Sequence, residues 1–417
     1  MCIGVCHECV EDTYLKLIIQ NNGSPNLCSV CQSITNSAFT VDELGALIEP
    51  IMREHFSLGG QIKRFYDDDH EEWGQEGDPM SYVVQEVLGQ YFDFEDEIVD
   101  AVCDAENYSP GDGGEAFWDN TSNYVETRIQ IGHYYEQWSN ALSELKNSRR
   151  FFSSSALDLF NKLFDDIDAL KAWTGRKYLP VVRSLPVGTK FHRARIFNSH
   201  SVLKDICADP FQHVGPPPHE HAQAGRMSTD GVVVFYGARE ENTALAELRP
   251  AIGNEIAVIS VKTTRRLRLL DFSRLEKARA GKALSYFQPN FREEVEKQKF
   301  LRRLHQLISQ PVIPGRETDY LITQTMGEYL AHVYPKPFDG ILFASTQRAN
   351  GTNIVLFSKP NLITSSVGEA FGIEYIDDSL RLFSTDKIKH THSKISFSVQ
   401  DDEPYISHDY DYDYEDD

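Results

Sequence analysis

The chain has 417 residues, of which 41% are hydrophobic and 25% charged, the balance of an ordinary globular protein and more than one hydrophobic core usually organises. Its formal net charge is −22, but residues 401–417 hold nine acidic and no basic side chains, which leaves −13 for the rest and argues against a generic duplex-binding surface. No apolar run approaches the ~18 residues of a membrane span, and the opening Met1-Cys-Ile-Gly-Val-Cys6 carries neither a basic stretch nor a long apolar one, so a cytoplasmic protein without a membrane partner is expected.

The first 35 residues carry Cys6-His-Glu-Cys9 and, after an 18-residue spacer, Cys28-Ser-Val-Cys31. Seven cysteines, an odd number, suit reduced thiols and a metal better than a disulfide framework. Two CxxC turns each offer two thiolates to one tetrahedral ion, and a turn at Asn21-Asn-Gly-Ser-Pro25 returns the chain to close the site. The spacing predicts a zinc ribbon over 1–35, with zinc as a structural staple for a piece too small to fold alone. His7 is an alternative ligand.

From Thr40 the pattern turns helical. Thr40 and Glu43 fit a capping box, and Leu44, Leu47, Ile48, Ile51 and Met52 follow helical spacing. Amphipathic stretches near 81–105, 116–147 and 155–173, the last with Leu157, Phe160, Phe164 and Ile167 on one face, extend an all-α domain over 36–178. Pro110-Gly-Asp-Gly-Gly114 and the acidic run 67–72 read as loops. Within this domain Arg128-Ile-Gln-Ile-Gly-His133 resembles the Arg-x4-His motif of HEPN-type ribonucleases, where the pair acts on a scissile phosphate. The apolar Ile129 departs from that motif, and Tyr134, Tyr135 and Trp138 predict a segment that mostly packs.

After Pro180 short β-rich runs at 187–197, 231–237, 255–263 and 267–272 precede helices near 290–309 and 318–333 and strands near 338–344 and 353–358, an α+β domain over 180–398. The end, 399–417, is acidic and of low complexity, and disorder is expected there. Histidines 213, 219 and 221 stand among prolines with no element to fix them, so no metal is expected on that loop.

The segment 236–250, Tyr-Gly-Ala-Arg-Glu-Glu-Asn-Thr-Ala-Leu-Ala-Glu-Leu-Arg-Pro, sets isolated charges among small and apolar residues. A carboxylate such as Glu247 between Ala244, Leu245, Ala246 and Leu248 is costly to bury unless something faces it, so the pattern predicts a site. Arg193, Glu247 and Ser345 resemble the three residues for which the RES domain family is named. Pro216-Pro-Pro218 with Ala224-Gly-Arg-Met227, the run 232–238, Thr243 to Pro250, Phe338 to Ser345, and Gly351 to Phe357 follow in the family's order over about 170 residues. Ser228-Thr-Asp230 stands where the family has an Asn-Pro pair, which leaves the shape of that loop open.

The resemblance implies an ADP-ribosyltransferase-like fold, NAD as substrate, and cleavage of its nicotinamide–ribose bond. Such cleavage passes through an oxocarbenium-like transition state, and Glu247 is the group expected to hold a ribose hydroxyl and face the developing positive charge. Arg193 and Arg226 are expected to bind the dinucleotide as planar forks, and Tyr236 to stack on a base. Ser345 is expected to donate to a phosphate or ribose oxygen, without a His-Asp pattern that would make it a nucleophile. Arg195, on the same strand face as Arg193, is its competitor, and Arg249 is a structural partner for Glu247. The resemblance further implies a toxin, typically held by an antitoxin. Here the N-terminal half is expected to control or sense, as in antiphage defence with a phage-derived trigger, and a homo-oligomer is a further expectation. Modification of a macromolecule by ADP-ribosylation and a HEPN ribonuclease using Arg128 and His133 are the alternatives.

Overall fold

Thr40 opens the helix Val41–His55 as its sequence requires. Its hydroxyl accepts from the Glu43 N–H at 3.2 Å, and the Glu43 carboxylate accepts from the Thr40 N–H at 2.8 Å. In the computed structural model, residues 3–67, 70–106, 116–279, 284–309, 317–359, 367–388, 396–400 and 403–407 are described. They fall into two compact units, one of 1–184, 223–230 and 268–343, the other of 185–222, 231–267 and 344–417.

In the first unit, Leu44, Ile48 and Met52 join Val83, Val84 and Val87 of helix Met80–Leu88 and Ile98 and Val102 of helix Glu95–Ala105 in one buried core. Gly45 permits the closest approach, since a Cβ there would lie 2.6 Å from the Ala101 carbonyl carbon. The expectation of an all-α region over 36–178 is corrected. Strand Asn123–Glu126 pairs with Phe56–Leu58 and Asp78–Pro79, and Lys171–Trp173 pairs with Tyr178–Pro180. Asn123–Glu126 finds its partners far along the chain, and the strands at 171–180 are only three residues each, so a local periodicity registers neither. The helix expected across 116–147 therefore starts only at Gly132, and the one expected across 155–173 spans Ser154–Phe164. There the buried stripe is Ala156, Leu159, Phe160, Leu163 and Phe164, while Leu157 is exposed. Asp166 ends that stretch in the left-handed region at φ 55°.

Of the acidic run read as a loop, Asp67 pairs with His70 in the backbone register of the hairpin Gln61–Asp67 and His70–Gln75. The loop 110–114 lies outside the described residues. Strands Ser396–Gln400 and Glu403–Ser407 form a hairpin where disorder was expected from 399, and 408–417 lies outside the described residues.

Helix Gly132–Asn147 packs on helix Phe291–Ser309 within the same unit. Tyr134 stacks on Phe300 at 5.7 Å between centroids, Trp138 lies 5.9 Å from it, and the Tyr134 N–H donates to the buried Glu296 carboxylate at 3.2 Å. The predicted helix at 318–333 is a 3-10 turn, Glu317–Tyr320, followed by an α-helix, Leu321–Glu328, and a wide turn, Tyr329–Val333. Strands Leu267–Asp271 and Gly340–Ala344 run parallel, with Leu269 opposite Gly340.

The second unit is built on antiparallel strands in the order Thr352–Phe357, Val234–Ala238, Lys190–Phe197, Glu255–Thr263 and Ile373–Tyr375, with Arg381–Ser384 on the other end of Glu255–Thr263. Glu255–Thr263 falls where the sequence places it, because its run of buried Ile256, Ala257, Val258 and Ile259 is flanked by turn residues. Helix Glu241–Glu247 follows strand Val234–Ala238 and buries Thr243 and Ala244.

Candidate active site

Glu247 is the last residue of its short helix and is half-buried. One of its oxygens, Oε1, accepts two hydrogen bonds, from Ser345 Oγ at 2.6 Å and from Asn353 Nδ2 at 2.8 Å. The partner that the sequence demanded is thus a hydroxyl and an amide. Arg249, the structural rival, is exposed, and among the described residues Glu247 bonds only to the two neutral donors. Its negative charge is oriented but not neutralised, and Oε2 takes no protein bond among the described residues.

Ser345 follows strand Gly340–Ala344 and is pinned by its own loop. Its N–H donates to the Gly351 carbonyl at 2.9 Å, and its hydroxyl accepts from the N–H groups of Gln347 and Arg348, each at 3.2 Å. The one hydroxyl proton goes to Glu247 in this arrangement. Gly351 closes the loop against the Glu247 helix, where a Cβ would lie 2.7 Å from Thr243 Oγ1.

Asn353 was not singled out as a site residue from the sequence. It is buried, opposite Ala238, in a strand otherwise made of Ile354, Val355, Leu356 and Phe357 beyond Thr352. A lone amide in such a strand was the available signal. The register also sets Tyr236 opposite Val355, and thus on the sheet face that carries Asn353. Tyr236 is half-buried.

Arg193 lies one residue past the bridge between His192 and Ala238. Its Nε donates to the Val214 carbonyl and its Nη1 to the Tyr236 carbonyl, both at 2.9 Å, and the guanidinium carbon is 5.5 Å from the Phe235 ring centroid. Burial, with a smaller contribution from the Arg195 charge, brings the guanidinium down to about 10, which leaves it cationic at neutral pH. Among the described residues no carboxylate pairs with it and its Nη2 makes no bond. No direct bond joins Arg193 to Glu247. Arg195 is exposed and donates to the His213 carbonyl at 2.7 Å.

Arg226 belongs to the first unit, where Nη1 reaches the Ser309 carbonyl at 3.3 Å and the Ile308 carbonyl at 3.5 Å, at the C-terminal end of helix Phe291–Ser309. A cation there meets the negative end of the helix dipole. The departure at Ser228 forms a tight turn, with the Gly225 N–H on the Ser228 carbonyl at 2.8 Å and Ser228 buried. Arg128 is exposed and precedes the helix on whose first turn the exposed His133 stands, so the Arg-x4-His spacing does not lie on one helix.

The four cysteines expected to bind metal converge. Cys6 ends strand Gly4–Cys6, Cys9 ends the turn His7–Cys9, and Cys28 follows strand Ser24–Leu27, with helix Thr13–Asn22 filling most of the spacer. The helix, capped by Asp12, ends at Asn22, and the chain passes through Gly23 into strand Ser24–Leu27, within the turn expected at 21–25. All four Sγ atoms lie within 4.8 Å of one another, and Cys6 and Cys31 are 3.9 Å apart. A tetrahedral zinc with bonds of about 2.3 Å needs sulfurs about 3.8 Å apart, so the donor set fits the ion. Burial opposes ionisation of Cys28, yet backbone N–H donors of Cys31, Cys6 and Val30 bring its thiol down to about 7. His7 turns instead toward the Ser37 carbonyl, 3.4 Å away.

Within one unit, then, Glu247 is a half-buried carboxylate held by two neutral donors, and Arg193 is a guanidinium held by two backbone carbonyls. Residues 191–374, a little under half of the chain, match the family model described as RES domain, and a RES domain is present over that span. No curated protein and no solved structure matches the chain. No helix among the described residues is long and apolar enough to cross a membrane.

Proposed function

We propose that the chain degrades NAD by cleaving the bond between nicotinamide and ribose, with water or inorganic phosphate as the acceptor. The observation that carries this reading is the Glu247 carboxylate, whose Oε1 is fixed by Ser345 and Asn353 while Oε2 and the negative charge remain available. As the glycosidic bond breaks, positive charge develops on the ribose ring carbon and oxygen. A preoriented anion lowers the energy of that state more than the ground state, because it need not reorganise when the charge appears. Oε2 accepts from a ribose hydroxyl and holds the ring in place. The nicotinamide leaves as a neutral base, so no general acid is required to protonate it. Arg193 Nη2 supplies a permanent donor for a pyrophosphate oxygen, and Tyr236 offers an aromatic face on the Asn353 side of the sheet. Zinc at the four cysteines plays no part in the chemistry and holds the N-terminal strands together. We infer further that the N-terminal part controls a toxin of this type.

Purified protein should release nicotinamide from NAD, with ADP-ribose or its phosphorylated form as the second product depending on added phosphate. Glu247→Ala should abolish the release and any growth arrest that expression causes. Radiolabel from NAD appearing on a macromolecule would replace this reading with ADP-ribosylation, and arrest lost with His133→Ala but kept with Glu247→Ala would replace it with the ribonuclease.

A further inference from the structure

We infer that Asn353 is a positioning residue for the reaction, fixing which oxygen of Glu247 meets the substrate; this deepens the NAD reading and rests on it. Asn353 is 5% exposed and sits between the ladder with Val234–Ala238 and the Glu247 helix. Burying an amide among Ile354, Val355 and Leu356 is unfavourable unless its hydrogen bond repays it, and that bond goes to Glu247 Oε1. Packing alone would favour an apolar residue at 353.

The kind of donor matters as much as its presence. A lysine or arginine would also satisfy the carboxylate, but it would cancel the charge that the transition state needs. An aspartate of the same shape would repel it. An asparagine amide orients the carboxylate and carries no charge of its own. The second donor, Ser345, stands on a loop whose next residues, Thr346 and Gln347, are exposed, whereas Asn353 stands in a buried strand. The strand thus anchors one donor and the hydrogen-bonded loop the other, and both donors on one oxygen commit the other to the substrate.

The test uses the full chain as wild type, Asn353→Ala, Asn353→Asp, Glu247→Ala and the double variant Glu247→Ala/Asn353→Ala. Asn353→Ala should lower kcat for nicotinamide release roughly ten- to a hundredfold, the loss expected for one hydrogen bond to a charged group, with KM for NAD changed by less than about threefold. Asn353→Asp should be slower still. A kcat within twofold of wild type in Asn353→Ala overturns the inference. Thermal unfolding of the same set, with Glu247→Gln and Glu247→Gln/Asn353→Ala added, gives a second readout independent of turnover. Coupling between positions 353 and 247 upholds the positioning bond, and its absence overturns it. Wild type that leaves NAD intact would instead sink the proposed function, while the unfolding cycle still decides the role of Asn353 toward Glu247.

Discussion

Replacing Ser345 by alanine separates two kinds of serine. In the structure its hydroxyl gives its proton to Glu247 Oε1 at 2.6 Å and takes N–H bonds from Gln347 and Arg348. Ser345→Ala leaves Oε1 with the Asn353 amide alone. A hydrogen bond to a charged group contributes about 1.5–3 kcal/mol, so kcat for nicotinamide release should fall by roughly one to two orders of magnitude. The released N–H groups lie beside the exposed Gln347, where water replaces the hydroxyl, so the unfolding free energy should fall by no more than the lost Glu247 bond, about 1.5–3 kcal/mol. Ser345→Thr keeps a hydroxyl and should recover most of the rate. A nucleophilic serine behaves otherwise. Its removal would cost on the order of 10⁴ or more, as complete a loss as Glu247→Ala, with a covalent intermediate trapped in the wild type. Steady-state nicotinamide release, with intact-mass measurement of the quenched enzyme, decides between them. An alanine variant within twofold of wild type, or one as inactive as Glu247→Ala, refutes the positioning role.

Two further predictions concern the first unit. Purified chain should carry about one zinc per molecule, and Cys9→Ser should lose it with a fall in melting temperature of at least about 5 °C; elemental analysis and a melt read both, and a metal-free chain with unchanged melting refutes the staple. His55 is buried against Tyr286 and Phe291, at 5.5 and 4.8 Å between ring centroids. Burial pushes its pKa down, helped by Arg292 and opposed by Glu54 and Glu126. Because the folded value lies below the usual value of about 6.5, the unfolded chain binds the proton first. The stability tied to neutral His55 is complete above that value and is lost as pH falls toward the folded pKa. Chemical denaturation across pH 5–8 (roughly the histidine range) should show this slope, and His55→Phe should flatten it.

Much of the second unit could be read from sequence because its signals are local. The run Ile256 to Ile259 needed only its own apolar residues to be a strand, and in the first unit the Thr40–Glu43 cap likewise needed only a four-residue spacing. The strands Phe56–Leu58 and Asn123–Glu126 could not be read that way, since each is defined by a partner that no window contains. The site follows the same division. Glu247 announced itself as a carboxylate among apolar residues, but the identity of its partners depends on a helix end, a loop and a strand meeting in space. Arg226 is expected as a ligand because a planar, permanent cation suits a pyrophosphate, whereas its bond to the Ser309 carbonyl depends on where helix Phe291–Ser309 ends.

Charges removed wholly or partly from water are handled in two ways in this chain. Asp271, 2% exposed, faces Arg183 at 3.0 Å and Arg274 at 3.5 Å, and accepts from Ser273 at 2.5 Å. Each charge there has its opposite, which is how a structural ion pair offsets desolvation. Glu247 and Arg193 are held by hydroxyl, amide and carbonyl groups instead, which fix their geometry and leave their charges standing. Such an arrangement costs stability relative to an ion pair and repays it only when another charge arrives. The framework answer applied to the site, Asn353→Lys, should therefore neutralise Glu247 and lose turnover whatever it does to stability.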